Sequence, residues 1–328
     1  MQRILLHAGM PKTGTTYMQD TLKNVEDQLT QAGACYVPFG RNAPLTAHHP
    51  IAESLQSDDD AQHVEFVSRL GALQGELPDI HTFLLSSEAI TNASTEVKAS
   101  LLLSRLGDYP GDVVLAYFIR AFDDNYESMY LHQAKYGQLL PDETFDAFVE
   151  KRKHYARSLF GGLRVLDASK VVAVQLHPYS TTKDPLDVLF ASNGIDFKIE
   201  KSAKSPRSHS RLGLKMQTAL RHLDILLSPE ERSSLLLGRL VRSLEDGDFE
   251  FEKDSTDFTL WQAARRRSVI ADADDQADRM GFKGAIPKSK RGRKKVKTAK
   301  LDLERLTKGE RSDFRDFCLS NHSSSEQN

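Results

Sequence analysis

Cysteine is scarce in this sequence: Cys35 and Cys318 are the 2 cysteines among 328 residues. They lie far apart and have no metal-type spacing, so the sequence predicts two free thiols rather than a disulfide framework or a zinc site. Because free thiols are typical of a reducing compartment, we expect a cytoplasmic protein.

Long apolar runs are also missing. No stretch approaches the roughly 18 consecutive apolar residues that a membrane-spanning helix needs, so no transmembrane segment is expected. At the start, Met1-Gln2-Arg3 leads through Ile4-Leu5-Leu6 straight into a glycine-containing turn. A signal peptide needs a longer apolar region and a small-residue cleavage site, and we expect none here.

The net charge is small, with 44 Lys and Arg against 46 Asp and Glu. This balance excludes a protein that coats nucleic acid with its whole surface, and no stable nucleic-acid partner is expected. The exception is the stretch 283–300, which is rich in Lys and Arg and contains no acid. It would attract an acidic glycan, an anionic membrane or nucleic acid, but we favour the alternative of a flexible, solvated tail.

Strand and helix patterns alternate over the first 200 residues. This alternation predicts an α/β fold: a three-layer parallel sheet with helices on both faces. The predicted strands are 3–7, 34–38, 82–86, 113–119 and 171–175, and the predicted helices are 15–31, 61–75 and 124–136.

Strand signals fade after about residue 200, and residues 211–281 have a helical pattern. We therefore predict three consecutive parts. They are a nucleotide-binding α/β core over 1–200, a helical part over 201–282 that packs on the core, and a basic, flexible tail over 283–328. The oligomeric state is not predicted.

The most informative segment is Gly9-Met10-Pro11-Lys12-Thr13-Gly14-Thr15-Thr16, between the first predicted strand and the first predicted helix. A glycine-containing turn at that place lets backbone N–H groups surround an anion, and the helix N-terminus favours negative charge. Nucleoside triphosphate-binding loops have lysine directly after the second glycine, whereas here Thr15 follows Gly14 and the lysine is Lys12. A nucleotide kinase or NTPase therefore remains only an alternative.

The run Pro11-Lys12-Thr13-Gly14-Thr15-Thr16 resembles the 5′-phosphosulfate-binding loop of the sulfotransferase family. This resemblance implies a P-loop-like fold, sulfuryl transfer from 3′-phosphoadenosine-5′-phosphosulfate (PAPS), adenosine 3′,5′-bisphosphate as product, and no metal. It implies that Lys12 contacts the phosphosulfate and stabilises the leaving phosphate. Thr13, Gly14, Thr15 and Thr16 would supply backbone and hydroxyl donors.

A second match follows the strongest predicted strand. Sulfotransferases place an arginine at a strand end and a serine about eight residues later, and Arg120 and Ser128 are similar in placement. The resemblance implies that this pair binds the 3′-phosphate, to which a guanidinium fork and a hydroxyl are suited. Asp123 and Asp124 between them are expected to cap a helix N-terminus, and the usual proline after the arginine is replaced by Ala121-Phe122.

The acceptor must lose a proton as it attacks sulfur, which calls for a general base. Our first choice is Glu88, which follows the third predicted strand and is similar in placement to the glutamate of carbohydrate and tyrosine sulfotransferases. The competitor is the pair His48-His49, because cytosolic sulfotransferases use a histidine.

The glycine-rich loop of many cytosolic members begins Arg-Lys-Gly, and the segment Arg279-Met280-Gly281-Phe282-Lys283-Gly284 resembles it only weakly. The chain thus resembles the bacterial-type sulfotransferases more closely. The residues that would cover the adenine ring are not assigned from the sequence. By the same analogy, the expected acceptor is a carbohydrate or a lipid-linked sugar. The alternatives are a non-catalytic nucleotide-binding relative and a nucleic-acid-binding protein acting through residues 283–300.

Overall fold

The structure is a computed structural model. The residues that it describes are 2–41, 46–57, 60–93, 95–140, 142–179, 183–200, 212–233, 235, 237–251, 254, 258–288, 297–298, 301 and 303–323. Most of the basic stretch predicted as a tail, residues 289–296 and 299–300, lies outside these ranges.

A five-stranded parallel sheet confirms the predicted α/β fold, with strand order β2-β3-β1-β4-β5. All five predicted strands are present, and their ends shift by at most three residues. The strands are β1 (Arg3–Gly9), β2 (Ala34–Tyr36), β3 (Thr82–Ser86), β4 (Asp112–Ile119) and β5 (Val172–Pro178).

Helices connect the strands. The first predicted helix is divided at Val25, and α3 was not among the predicted helices. The helices are α1 (Thr15–Asn24), α2 (Glu26–Gln31), α3 (His49–Ser54), α4 (Ala61–Glu76), α5 (Ile90–Ala93), α6 (Ala99–Gly107), α7 (Phe122–Lys135), α8 (Phe145–Glu150), α9 (Tyr155–Ala168) and α10 (Pro185–Ser192).

The strands β1 and β4 lie at the centre of the sheet, and their side chains are buried on both faces. This burial explains why both strands read as continuous apolar runs rather than as alternating patterns. On one face, Leu5 and Phe118 pack in a core with Met18 and Leu22 of α1 and Phe190 of α10.

The chain folds into two compact units that interleave along the sequence. One comprises Met1–Asn125, Lys153–Ser208 and Ser268–Ser289, and the other comprises Tyr126–Arg152, His209–Arg267 and Lys290–Asn328. The sequence predicted consecutive parts instead, and that division stays a prediction.

The second unit has its own apolar core, formed around Met216, Leu240 and Phe314. Residues 308–323, part of the predicted tail, form a helix in which Phe314 and Cys318 are fully buried, so the prediction of a tail is wrong for this segment. The elements after residue 200 are α11 (Leu214–Arg221), α12 (Leu223–Leu226), α13 (Pro229–Ser233), α14 (Leu237–Asp246), β6 (Phe258–Thr259), α15 (Ala263–Arg279), β7 (Lys297–Thr298), a 3-10 turn (Leu303–Arg305) and α16 (Lys308–Ser323), with β6 and β7 paired in parallel.

None of the described helices combines the length and the apolar character that crossing a membrane requires.

Ser86, the last residue of β3, joins two buried histidines. Its N–H donates to Nδ1 of His48 over 3.1 Å, so Nε2 carries the proton and donates to the Val37 carbonyl over 3.0 Å. Its hydroxyl lies 2.7 Å from Nδ1 of His7 on β1. Burial lowers the pKa of both His7 and His48 to about 3. Both rings are therefore neutral at pH 7 and hold the carboxyl ends of the strands together.

We expect the fold to lose stability in mild acid. Each buried neutral histidine takes up a proton on unfolding, so its contribution is complete above pH 6.5 and is lost as the pH falls from about 6.5 towards 3. Between pH 7.5 and 5.5, the loss should be about 1.4 kcal/mol for each of His7 and His48, measured by urea denaturation.

His48→Gln is the matched variant, because its amide keeps hydrogen-bonding groups but does not titrate. Its stability should be lower at pH 7.5, yet its further loss at pH 5.5 should be smaller than that of the wild type by about 1.4 kcal/mol. An identical acid-induced loss in both proteins would show that His48 is not the group responsible.

Candidate functional site

The candidate site lies at the carboxyl ends of β1, β3 and β4. After β1 the chain leads towards β2 at one edge of the sheet, and after β4 it leads to β5 at the other edge. Because β1 and β4 are adjacent, their connections leave in opposite directions, and open α/β sheets bind ligands at such switch points. The structure therefore brings the loop after β1 and the residues after β4 to the same edge.

The loop between β1 and α1 has an unusual backbone. Lys12 and Gly14 both adopt the left-handed conformation, with φ of 68° and 77°. The first bond of the helical ladder runs from the Met18 N–H to the Gly14 carbonyl over 3.1 Å. The N–H groups of Thr15 and Thr16 precede that ladder, at the positive end of a ten-residue helix.

A close internal contact sets the curvature of this loop. Thr13 is fully buried and its hydroxyl donates to the Met10 carbonyl over 2.7 Å. A Cβ atom at Gly9 would lie 2.8 Å from that hydroxyl, so no larger residue fits there without a shift. The Thr13 hydroxyl therefore closes the loop rather than standing ready as a donor for a ligand. Only the backbone N–H of Thr13 remains a candidate donor.

Two side chains after β4 hold the carbonyls of the loop. Nη1 of Arg120 donates to the Lys12 carbonyl over 2.9 Å, and Nδ2 of Asn125 donates to the Pro11 carbonyl over 2.5 Å. In a trans peptide the C=O and the following N–H point in opposite directions. The N–H groups of Lys12 and Thr13 thus point away from Asn125 and Arg120. The two predicted motifs, Lys12 and Arg120, are in direct contact.

Ser128, the predicted partner of Arg120, is half-buried on α7. It belongs to the second compact unit whereas Arg120 belongs to the first, and their pairing stays a prediction. Asp123 and Asp124 lie inside the first turn of α7, which begins at Phe122, rather than before it as capping residues, and their charge suits the helix dipole.

The two competing candidates for the general base come together. Nε2 of His49, the first residue of α3, lies 3.7 Å from Oε1 of Glu88, just after β3. The side chains of His49 and Glu88 are 22% and 33% exposed, so both can be reached from solvent. Gln19 on α1 is buried and donates its amide N–H to the other oxygen of Glu88 over 3.0 Å. An imidazole and a carboxylate in this arrangement can accept and pass on protons.

His48 and Ser87 are excluded from acid–base and nucleophilic roles, respectively. His48 is buried and bonded through both ring nitrogens, which corrects its candidacy as a base. Ser87 is also fully buried, and its hydroxyl lies 2.8 Å from Nδ1 of His49, while Glu88 faces Nε2. A nucleophilic triad has the reverse arrangement, with serine at Nε2. Ser87 therefore orients His49.

Four residues of this site gave no signal in the sequence: Gln19, Ser87, Asn125 and Tyr179. Tyr179 follows β5, its N–H donates to the Ile119 carbonyl over 2.7 Å, and its ring lies beside Gly14. Each of them acts through a contact that is distant in sequence. The position of Tyr179 after the carboxyl end of a strand is the one clue that could have indicated it.

Within the described part of the chain, no cluster of three or more His, Cys, Asp or Glu side chains is suited to hold a metal ion.

We expect Gly14→Ala to destabilise the protein by about 1–2 kcal/mol, because a left-handed φ is costly for residues with a Cβ atom. That Cβ would also lie 3.3 Å from the Tyr179 hydroxyl. Gly71→Ala is the control: Gly71 lies within α4, and an added Cβ there would meet no described atom within 4 Å, so alanine should stabilise by about 0.5–1 kcal/mol. Urea denaturation measures both, and equal effects of the same sign would contradict the loop geometry.

Comparison with known proteins adds no assignment: no protein-family model, no curated protein and no solved structure matches this chain. The candidate site is therefore judged on its own residues and their geometry.

Proposed function

We propose that the chain is a PAPS-dependent sulfotransferase that acts on a hydroxyl or amine acceptor, with a carbohydrate or glycolipid as the favoured class. In this proposal the α/β core is of the three-layer, P-loop-like type. The observation that carries the proposal is the contact between Lys12 and Arg120, since it joins the two sequence motifs at the switch point of the sheet.

The residues of the loop suit the 5′-phosphosulfate end of PAPS. The backbone of Lys12 and of Gly14 is left-handed, and Gly9 permits the close approach of Thr13 that closes the loop. Lys12 would hold the phosphosulfate together with the backbone N–H groups of residues 13–16. When bound, PAPS would supply the sulfuryl group that is transferred, and adenosine 3′,5′-bisphosphate would be the leaving group. The Lys12 ammonium and the helix N-terminus would supply positive charge as negative charge develops on the leaving phosphate, without the reorganisation that water would need.

Arg120 would hold the 3′-phosphate that distinguishes PAPS from ATP, and the part of Ser128 in this contact stays a prediction. One N–H of Arg120 supports the Lys12 carbonyl. Because a guanidinium has five N–H donors in a fixed fork, supporting the loop is compatible with binding a phosphate as well.

Glu88 is the proposed general base. It follows β3, which is the neighbour of β1 in the sheet, and therefore lies on the same edge as the loop. Gln19 holds one carboxylate oxygen and the other faces His49, so the carboxylate has a fixed orientation. A base that is already oriented can take the proton from the hydroxyl or amine of the acceptor substrate without first ordering its own side chain. His49, held by Ser87, supports Glu88 in this role.

Binding of adenosine 3′,5′-bisphosphate tests the proposed donor. Calorimetry in the presence of EDTA should show tight binding. In a separate titration without EDTA, ATP with Mg²⁺ should not displace the bisphosphate. Arg120→Ala should weaken this binding more than it slows turnover. Displacement by ATP with Mg²⁺ would favour a nucleotide kinase or NTPase instead.

Lys12→Ala should lower sulfate transfer from labelled PAPS, assayed over a panel of glycan acceptors, by about 10²–10³-fold. Lys12→Arg keeps the positive charge and should retain more activity than Lys12→Ala. Nearly intact turnover in Lys12→Ala would overturn the role of its ammonium.

A double-mutant cycle tests the base. Glu88→Gln should lower kcat by about 10²–10⁴-fold with little change in KM for PAPS, because proton transfer is lost while binding is kept. His49→Gln should have a smaller effect and should add little when Glu88 is already replaced. Glu53→Gln, on the exposed surface of α3, is the control and should match the wild type. A larger loss for His49→Gln than for Glu88→Gln would make the imidazole the base.

A further inference from the structure

The side chain of Asn125 is fully buried, yet it makes a direct contact with the candidate binding loop. Its Nδ2 donates to the Pro11 carbonyl over 2.5 Å, across 114 positions of sequence. Its backbone N–H donates to the Ala121 carbonyl over 2.9 Å, which fixes it in the first turn of α7. We infer that Asn125 is a positioning residue that holds this loop in its anion-binding shape.

The loop needs such support because its backbone is strained. Lys12 has a left-handed φ of 68°, which is unfavourable for a residue with a side chain. Pro11, just before it, has a φ fixed by its ring and no N–H to donate. The rotation that relieves the strain therefore occurs mainly about ψ of Pro11 and φ of Lys12. That rotation turns the Pro11 carbonyl, and the bond from Asn125 opposes it.

The same rotation moves the Lys12 N–H, because it belongs to the same peptide plane as the Pro11 carbonyl. Losing the hydrogen bond from Asn125 would thus disorder the Lys12 N–H, which points away from Asn125. Arg120 supports the next peptide through the Lys12 carbonyl. Arg120 is half-buried, so it can also contact a ligand, whereas the buried Asn125 acts only through the loop.

The orientation of the Asn125 amide supports this role. Its Oδ1 atom is buried without a hydrogen-bond partner in the described part of the chain. Leaving a buried oxygen unsatisfied is unfavourable. In this orientation the amide satisfies its N–H donor through the Pro11 carbonyl and leaves its oxygen unsatisfied. An aspartate of the same shape would set a carboxylate oxygen against the Pro11 carbonyl.

The identity of the ligand in this inference rests on the proposed function, but the role of Asn125 in loop shape does not. The experiment therefore has two readouts on the full-length chain: the Kd for adenosine 3′,5′-bisphosphate, and hydrogen exchange of peptides covering residues 10–16 without nucleotide. The variants are Asn125→Ala, Asn125→Asp and, as a milder change, Asn125→Ser.

The matched control is Asn193→Ala. Asn193 is a buried asparagine whose amide donates to the Leu189 carbonyl over 2.9 Å, and none of its hydrogen bonds involves the loop. We expect Asn125→Ala to weaken binding by about tenfold and to speed loop exchange by a similar factor, with a larger effect for Asn125→Asp. Asn193→Ala should lower global stability and leave both readouts near those of the wild type.

The outcomes separate the two proposals. If the wild type binds the bisphosphate and Asn125→Ala changes neither readout, the role of Asn125 is wrong and the proposed function stands. If the wild type does not bind it but Asn125→Ala speeds loop exchange, the proposed ligand is wrong and the positioning role stands. If Asn125→Ala does not fold, Asn125→Ser decides the result, and unchanged exchange of residues 10–16 in that variant overturns the inference.

Discussion

The candidate site depends on one constraint, the direction of the two peptide carbonyls at Pro11 and Lys12. Side chains from the segment after β4 hold both of them, so the N–H groups of the loop face the opposite way. A loop that points its amides in one direction before a ligand arrives has less entropy to lose on binding. The parallel pairing of β1 with β4 makes this possible, because it places the two segments side by side.

The acid–base pair depends on the other neighbour of β1. Ser86 ends β3 and joins His7 and His48, which fixes the start of the segment that carries Ser87 and Glu88. Glu88 is bonded to Gln19 of α1, and α1 is the helix that directly follows the binding loop. The loop and the base are thus connected through one short helix rather than through independent loops.

The sheet was predictable from the sequence because buried parallel strands read as short apolar runs, and 82–86 and 113–119 are clear examples. The loop was predictable because its glycines and Lys12 stand together in the sequence. Gln19 and Asn125 were not, since their partners lie 69 and 114 positions away and no local pattern marks such contacts. The helix α16 was missed because a charged, polar stretch hides the spacing of Phe314 and Cys318, which fill the core of the second unit.

The two cysteines have a consequence for studying the motions of this chain. Cys35 is buried on β2 of the first unit and Cys318 is buried on α16 of the second, and burial raises the pKa of their thiols to about 11 and about 12. Neither thiol reacts readily while it is shielded, because thiolate is the reactive form. Alkylation of each thiol therefore reports the opening of the structure around it. Because one native thiol lies in each unit, comparing the two alkylation rates tests whether the units open together or separately, without an engineered label.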